Sequence, residues 1–141
     1  MLDLVGAGSE EGDLSRLVDS VSGGDPASLH AELLRLASEG MTGVPLIRAV
    51  LRRMMLLTRL RGEVERGNSV DAVMASQGKA IFWKEKDEVA RQLSRWRSDL
   101  LAKSVGRLLE AERQVKASGT IGPSGVDEEL FAICRQAARL R

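Results

Sequence analysis

Apolar residues recur at helical spacing from Asp13 to the end of the chain. Leu14, Leu17, Val18 and Val21 stand at i, i+3, i+4 and i+7, one face of a helix that Gly23-Gly24 terminates. Asp25-Pro26 restarts the chain as an N-cap followed by proline at the first helical position. Leu29, Leu33 and Leu36 form the next stripe, which Gly40 stops. A third helix is predicted from Val44-Pro45 to about Arg66. At about 3.6 residues per turn, Leu46, Val50, Met54, Leu57, Leu60 and Val64 fall on one arc, with Arg48, Arg52, Arg59 and Arg66 almost opposite. Gly67-Asn68 closes it, and Ser69 caps a short fourth helix carrying Val70, Val73 and Met74.

Past the loop Gln77-Gly78-Lys79-Ala80, the chain is expected to enter a fifth helix at Ile81-Phe82-Trp83, with Phe82, Val89, Leu93 and Trp96 on its inner face. Ser98 is the expected cap of a sixth helix, whose stripe is Leu101, Val105, Leu108, Glu112 and Val115. The glutamate interrupts that stripe and predicts shallower burial at the far end. Gly106 in mid-helix costs up to about 1 kcal/mol against alanine, which a close helix crossing would explain. The stretch from Ser118 to Pro123 is a break, and Ser124 with Asp127 resembles a capping box. The last helix shows Val126, Leu130, Ile133, Cys134 and Ala137, with Arg135, Arg139 and Arg141 towards its end. No stretch alternates as a strand does, and no fixed period repeats. The fold class is all-α, a bundle of six to seven helices over residues 13–141. Residues 1–12, acidic and glycine-rich, read as a flexible lead-in.

Composition sharpens this picture. Aromatic residues are 3% of the 141, with no tyrosine, and the apolar content rests on residues that suit helices. The net charge of +1 provides no global field for nucleic acid or an anionic membrane, so DNA contact is not expected. A single cysteine fits a reducing, cytoplasmic setting, and no apolar run approaches a membrane span.

Candidate chemistry is sparse. Gly6-Ala7-Gly8 lacks the rest of a dinucleotide fingerprint, and no phosphate-binding loop motif is present. His30 and Cys134 are the only imidazole or thiol, too few for a Cys/His metal cage, and Cys134 reads as a core residue. The run Glu85-Lys86-Asp87-Glu88 reads as a solvated helix face. No catalytic, cofactor-binding or metal residue is therefore assigned. Arg53 and Arg61 lie at the edges of the third helix's apolar arc, placed to snorkel or to pair with acids of a neighbouring helix or subunit. Trp96 is in register with the core. Trp83 cannot share that core equally with Phe82, which makes it a candidate contact for another protein.

The segment Ile81-Phe82-Trp83-Lys84, with Gln92, Trp96, Leu101, Leu108-Leu109, Glu110-Ala111-Glu112, Lys116 and Ser118-Gly119, resembles the carboxy-terminal part of the bacterial DNA polymerase III delta subunit. Upstream, Leu17-Val18, Gly24-Asp25, Leu33-Leu34, Glu39-Gly40, Val44-Pro45 and Leu46-Ile47-Arg48-Ala49 follow the same order. The likeness spans about residues 14–140. The family pattern puts an acid two positions before Lys116, where this chain has Gln114, so the acid–base contact that pattern implies is not expected.

The resemblance implies a clamp-loader collar domain: a non-catalytic assembly module that joins gamma/tau and delta-prime subunits in the replisome. The sliding clamp would be met only through an amino-terminal domain with no counterpart in this chain, and the parent complex would be the DNA polymerase III holoenzyme. Candidate subunit-interface residues are Arg53, Arg61 and Trp83, joined by Lys84, Gln92 and Lys116 from the resembling segment. The competing reading is a helical nucleic-acid-binding module that uses the arginine stripe of the third helix.

Overall fold

A computed structural model describes residues 14–118 and 122–140. The lead-in, the Gly6-Ala7-Gly8 stretch, the side chain of Ser124 and Arg141 lie outside what it describes. Every described element is helical: α1 (14–23), α2 (Pro26–Ser38), α3 (Val44–Glu65), α4 (Val70–Ser76), α5 (Lys86–Arg95), α6 (Ser98–Ser118) and α7 (Pro123–Ala138). Two single 3-10 turns, Gly78–Ala80 and Trp83–Glu85, lie between α4 and α5.

Helix ends follow local chemistry. Asp25 accepts the amide of Ser28 at 3.1 Å and Ser69 accepts that of Ala72 at 3.0 Å, so each is an N-cap. α1, α2 and α3 all stop in the same way. The amides of Gly24 and Asp25 return to the carbonyls of Val21 and Ser20, those of Gly40 and Met41 to Ala37 and Leu36, and those of Gly67 and Asn68 to Val64 and Glu63. This double return needs a left-handed residue, and glycine supplies it without a Cβ clash. At Gly24, with φ +76°, close approach is a second reason: a Cβ there would lie 2.8 Å from the Ala137 carbonyl carbon and nearer still to the Ala138 backbone.

The predicted stripes meet in one core. The inward residues of α1, α2 and α3 are buried, except Val64, which is partly covered. So are Val126, Leu130, Ile133, Cys134 and Ala137 of α7. The long helices α3 and α6 make the most extensive pairing. They run antiparallel, because Arg48 meets Glu112 at one end while Ser98 meets Glu65 at the other. Trp96 fills the centre and donates its indole N–H to the Ser22 carbonyl at 2.9 Å, as a buried tryptophan requires.

Four local expectations are corrected. α5 begins at Lys86, so Ile81 (5% exposed) and not Phe82 (57%) is the buried member of that segment. Ser98 is inside α6 and its hydroxyl donates to Glu65, so it does not cap the helix. Along α6 the buried residues are Leu101, Ser104, Leu108 and Ala111, while Val105 and Val115 are only partly covered. Among the described residues nothing lies within 4 Å of a Cβ placed on Gly106, so no described helix crosses at that point.

Candidate interaction surface

The segment between α4 and α5 is held at both ends and free in the middle. Ile81 is buried in the core at one end. At the other, Glu85 binds the guanidinium of Arg53 at 3.2 Å. The amide of Glu85 also returns to the Phe82 carbonyl at 2.9 Å, closing a tight turn. The three residues inside that turn have no core to enter. Phe82 is 57% and Trp83 70% exposed, and their rings stand 6.1 Å apart, tilted by 56°. Lys84 places its ammonium 5.4 Å from the Trp83 ring centre, within cation–π range. The result is an aromatic spur on a fixed base.

That base is a buried polar network centred on Arg53, which is 6% exposed. Its guanidinium donates to Asp19 of α1 at 2.8 Å, to the side-chain carbonyl of Gln92 on α5 at 3.0 Å, and to Glu85. Gln92, 2% exposed, passes its amide on to Glu88 at 3.3 Å, and Ser15 donates to Glu85 at 3.2 Å. Arginine suits this position because its planar fork can serve three acceptors at once. The expectation that Glu85 to Glu88 forms a solvated face is corrected here: Glu85 turns inward to Arg53, and Glu88 is shared by Gln92 and Arg91.

Beside the spur lies a cleft of about 200 Å³ between α1, α3 and the turn, with Arg53 and Glu85 among its walls. Arg52 and Leu56 form its α3 side, and Met55, 54% exposed, sits between them in sequence. Among the described residues no group of three or more His, Cys, Asp or Glu side chains is placed to hold a metal ion. His30 is exposed on α2, and the Cys134 thiol is buried against the Ser20 carbonyl. No described helix is long and apolar enough to cross a membrane.

The six candidate interface residues divide sharply. Arg53 and Gln92 are brought together, but inside the domain. Trp83 and Lys84 are brought together on its surface. Arg61 is half-buried and donates to the Leu93 carbonyl in the last turn of α5 at 3.3 Å, where a cation suits the helix end. Lys116 lies apart on α6 and pairs with Glu112 at 3.2 Å. With Arg48 at 2.9 Å on its other side, the Glu112 carboxyl is held below its ordinary range, first by Arg48 and then by Lys116. Leu51 and Leu56 pack partly against the core; among the described residues the exposed large apolar ones are Leu34, Met55, Phe82, Trp83 and Leu109. Asp19, Glu85 and Glu88 were missed by the sequence reading, because nothing local distinguishes an inward acid from a solvated one.

Comparison of the chain with family models, with curated proteins and with solved structures finds no match.

Proposed function

We propose that this domain is a subunit-assembly module of the clamp-loader collar type, and that the Phe82-Trp83-Lys84 spur with its adjoining cleft is the docking surface. The partners on this reading are gamma/tau and delta-prime collar domains, in the replisome. The observation that carries it is the presentation of Trp83: a large ring 70% exposed, on a turn fixed by Ile81 and by the Arg53–Glu85 ion pair. A bundle gains nothing by holding an aromatic ring in water. An interface does, because a preformed anchor loses little entropy on docking, and tryptophan truncation at such sites costs about 2 kcal/mol or more.

The α3 arginines fit the nucleic-acid reading less well. Arg48 pairs with Glu112, Arg66 lies 3.7 Å from Glu63, and Arg59 donates to Gln77 at 3.2 Å. The test is co-expression with gamma/tau and delta-prime collar domains followed by size-exclusion chromatography. A joint peak that Trp83→Ala abolishes is expected. Folded proteins that each elute alone would remove the proposal.

A further inference from the structure

A second feature lies between α6 and α7. α6 and α7 run antiparallel, since Arg107 makes a two-point ion pair with Glu129 at 2.8 and 3.2 Å midway along α7, while the earlier Leu100 of α6 lines one groove with Arg139 at the end of α7. That groove, about 260 Å³, is lined by Leu100, Lys103, Ser104, Arg107, Ala132, Ile133, Arg135, Gln136 and Arg139. Four of the nine are cations, and none is a carboxylate. Glu129 balances Arg107 from outside the groove. Lys103, Arg135 and Arg139 are exposed and form no ion pair among the described residues, although most other arginines of the domain do.

Two further details suit an anion. Ser104, 4% exposed, also lines the groove and offers a hydroxyl that can donate to a bound anion. Gln136 accepts from Arg139 at 3.1 Å and so orients that guanidinium without neutralising it. On the α7 wall Arg135 and Arg139 stand at i, i+4, about 6 Å apart along the helix axis, and Lys103 lines the α6 wall. Charge spread in this way fits a row of phosphates better than a single small anion.

We infer that the α6–α7 groove binds the sugar–phosphate backbone of double-stranded nucleic acid through Lys103, Arg135 and Arg139, with Ser104 as a donor on its floor. Arginine grips phosphate through paired N–H groups, and an acidic peptide offers no comparable regular row of anions. A duplex is favoured over a single strand because no aromatic ring lines the groove to stack on exposed bases. Such binding reads charge and not sequence. The whole-chain charge of +1 conceals the site, because acids elsewhere cancel it. The groove stands apart from the spur and does not depend on the collar reading.

The experiment is fluorescence anisotropy of a mixed-sequence DNA duplex with the full chain, repeated across a salt series. Three uncompensated cations predict a log–log salt slope of about −3, or roughly 40-fold weaker binding between 50 and 200 mM salt. Each single alanine variant, K103A, R135A or R139A, should reduce the slope by about 1, and the triple variant should nearly flatten it. These side chains are exposed, so helix content by circular dichroism should hold. R59A/R66A on α3 should bind as the parent does. No binding at low salt, an unchanged slope in the folded triple variant, or tighter binding of a single strand than of the duplex would each overturn the inference.

Discussion

Arg53→Ala tests whether the interior network holds the domain together. The substitution leaves the Gln92 carbonyl, in a residue 2% exposed, without its donor, at a cost of about 1–3 kcal/mol. It also removes the buried arginine stem, worth up to about 0.8 kcal/mol per methylene. The carboxylates lose less. Asp19 and Glu85 keep 28% and 31% of their side-chain surface in water, so they rehydrate and avoid the full 3–5 kcal/mol (roughly) of breaking a closed buried pair. Adding these contributions, and crediting the relief of no longer burying a guanidinium, gives a loss of about 3 kcal/mol.

Urea denaturation reads this directly, as a lower midpoint at unchanged slope, and thermal melting should fall by roughly 10 °C. Arg53→Met keeps the stem and should cost about half as much. A Gln92→Leu partner completes a double-mutant cycle, in which contacting residues couple by about 0.5–3 kcal/mol. A loss below about 0.5 kcal/mol for Arg53→Ala would refute the reasoning, since it would mean that water replaces the arginine without penalty. The same variant unties Glu85 and should therefore loosen the base of the spur. Trp83 should then be more mobile by time-resolved anisotropy, and partner docking should weaken.

Gly24→Ala forces a Cβ into the Ala137–Ala138 backbone and should lower the melting temperature steeply, whereas Gly40→Ala, with φ +80° but nothing within 4 Å, should cost only the left-handed strain of about 1–2 kcal/mol. Ser22→Ala should be neutral or stabilising by about 1 kcal/mol in the same denaturation assay, because the buried Ser22 hydroxyl has no hydrogen-bond partner among the described residues. The Glu112 carboxyl is depressed in the folded state, so its contribution is fully present above its ordinary value of 4.5 and is lost as pH falls through the lower folded value. Melting temperatures from pH 6 downward should fall less for Glu112→Gln than for the parent.

The helices were legible because each signal is local. Stripes at i, i+3, i+4 and i+7 predicted the buried faces of α1, α2, α3 and α7, and Asp25, Ser69, Gly24, Gly40 and Gly67 marked the ends where they occur. The fifth helix was misjudged at its start because Phe82 and Ile81 are both apolar neighbours. Ile81 is the one that turns inward, and the far end of the turn is held by the ion pair between Glu85 and Arg53, 32 residues apart in sequence. Trp83 is a candidate contact by elimination, since one core cannot hold two adjacent large rings; in the fold neither Phe82 nor Trp83 enters it. Arg53, at the edge of the apolar arc, does pair with an acid of a neighbouring helix, Asp19 of α1, whereas nothing local in the sequence marks Gln92 as the buried acceptor beside it.

Charge was the least legible property, and the reason is geometric. A formal total of +1 says that acids and bases are nearly equal in number, not that they are near one another. On α3 the opposing face looked like a free basic stripe, yet Glu112 comes from α6 to meet Arg48, and Gln77 reaches Arg59 from beyond α4. On α6 and α7 the cations are scattered among ordinary helix residues and form no run. Only the antiparallel packing of those two helices gathers Lys103, Arg107, Arg135 and Arg139 into one groove and leaves the carboxylates outside it. Compensation between charges is therefore a tertiary property, set by which helix faces meet. A one-dimensional count sees a nearly neutral domain, where the folded chain pairs Arg48 and Arg66 of α3 with acids and gathers between α6 and α7 cations that are unpaired among the described residues.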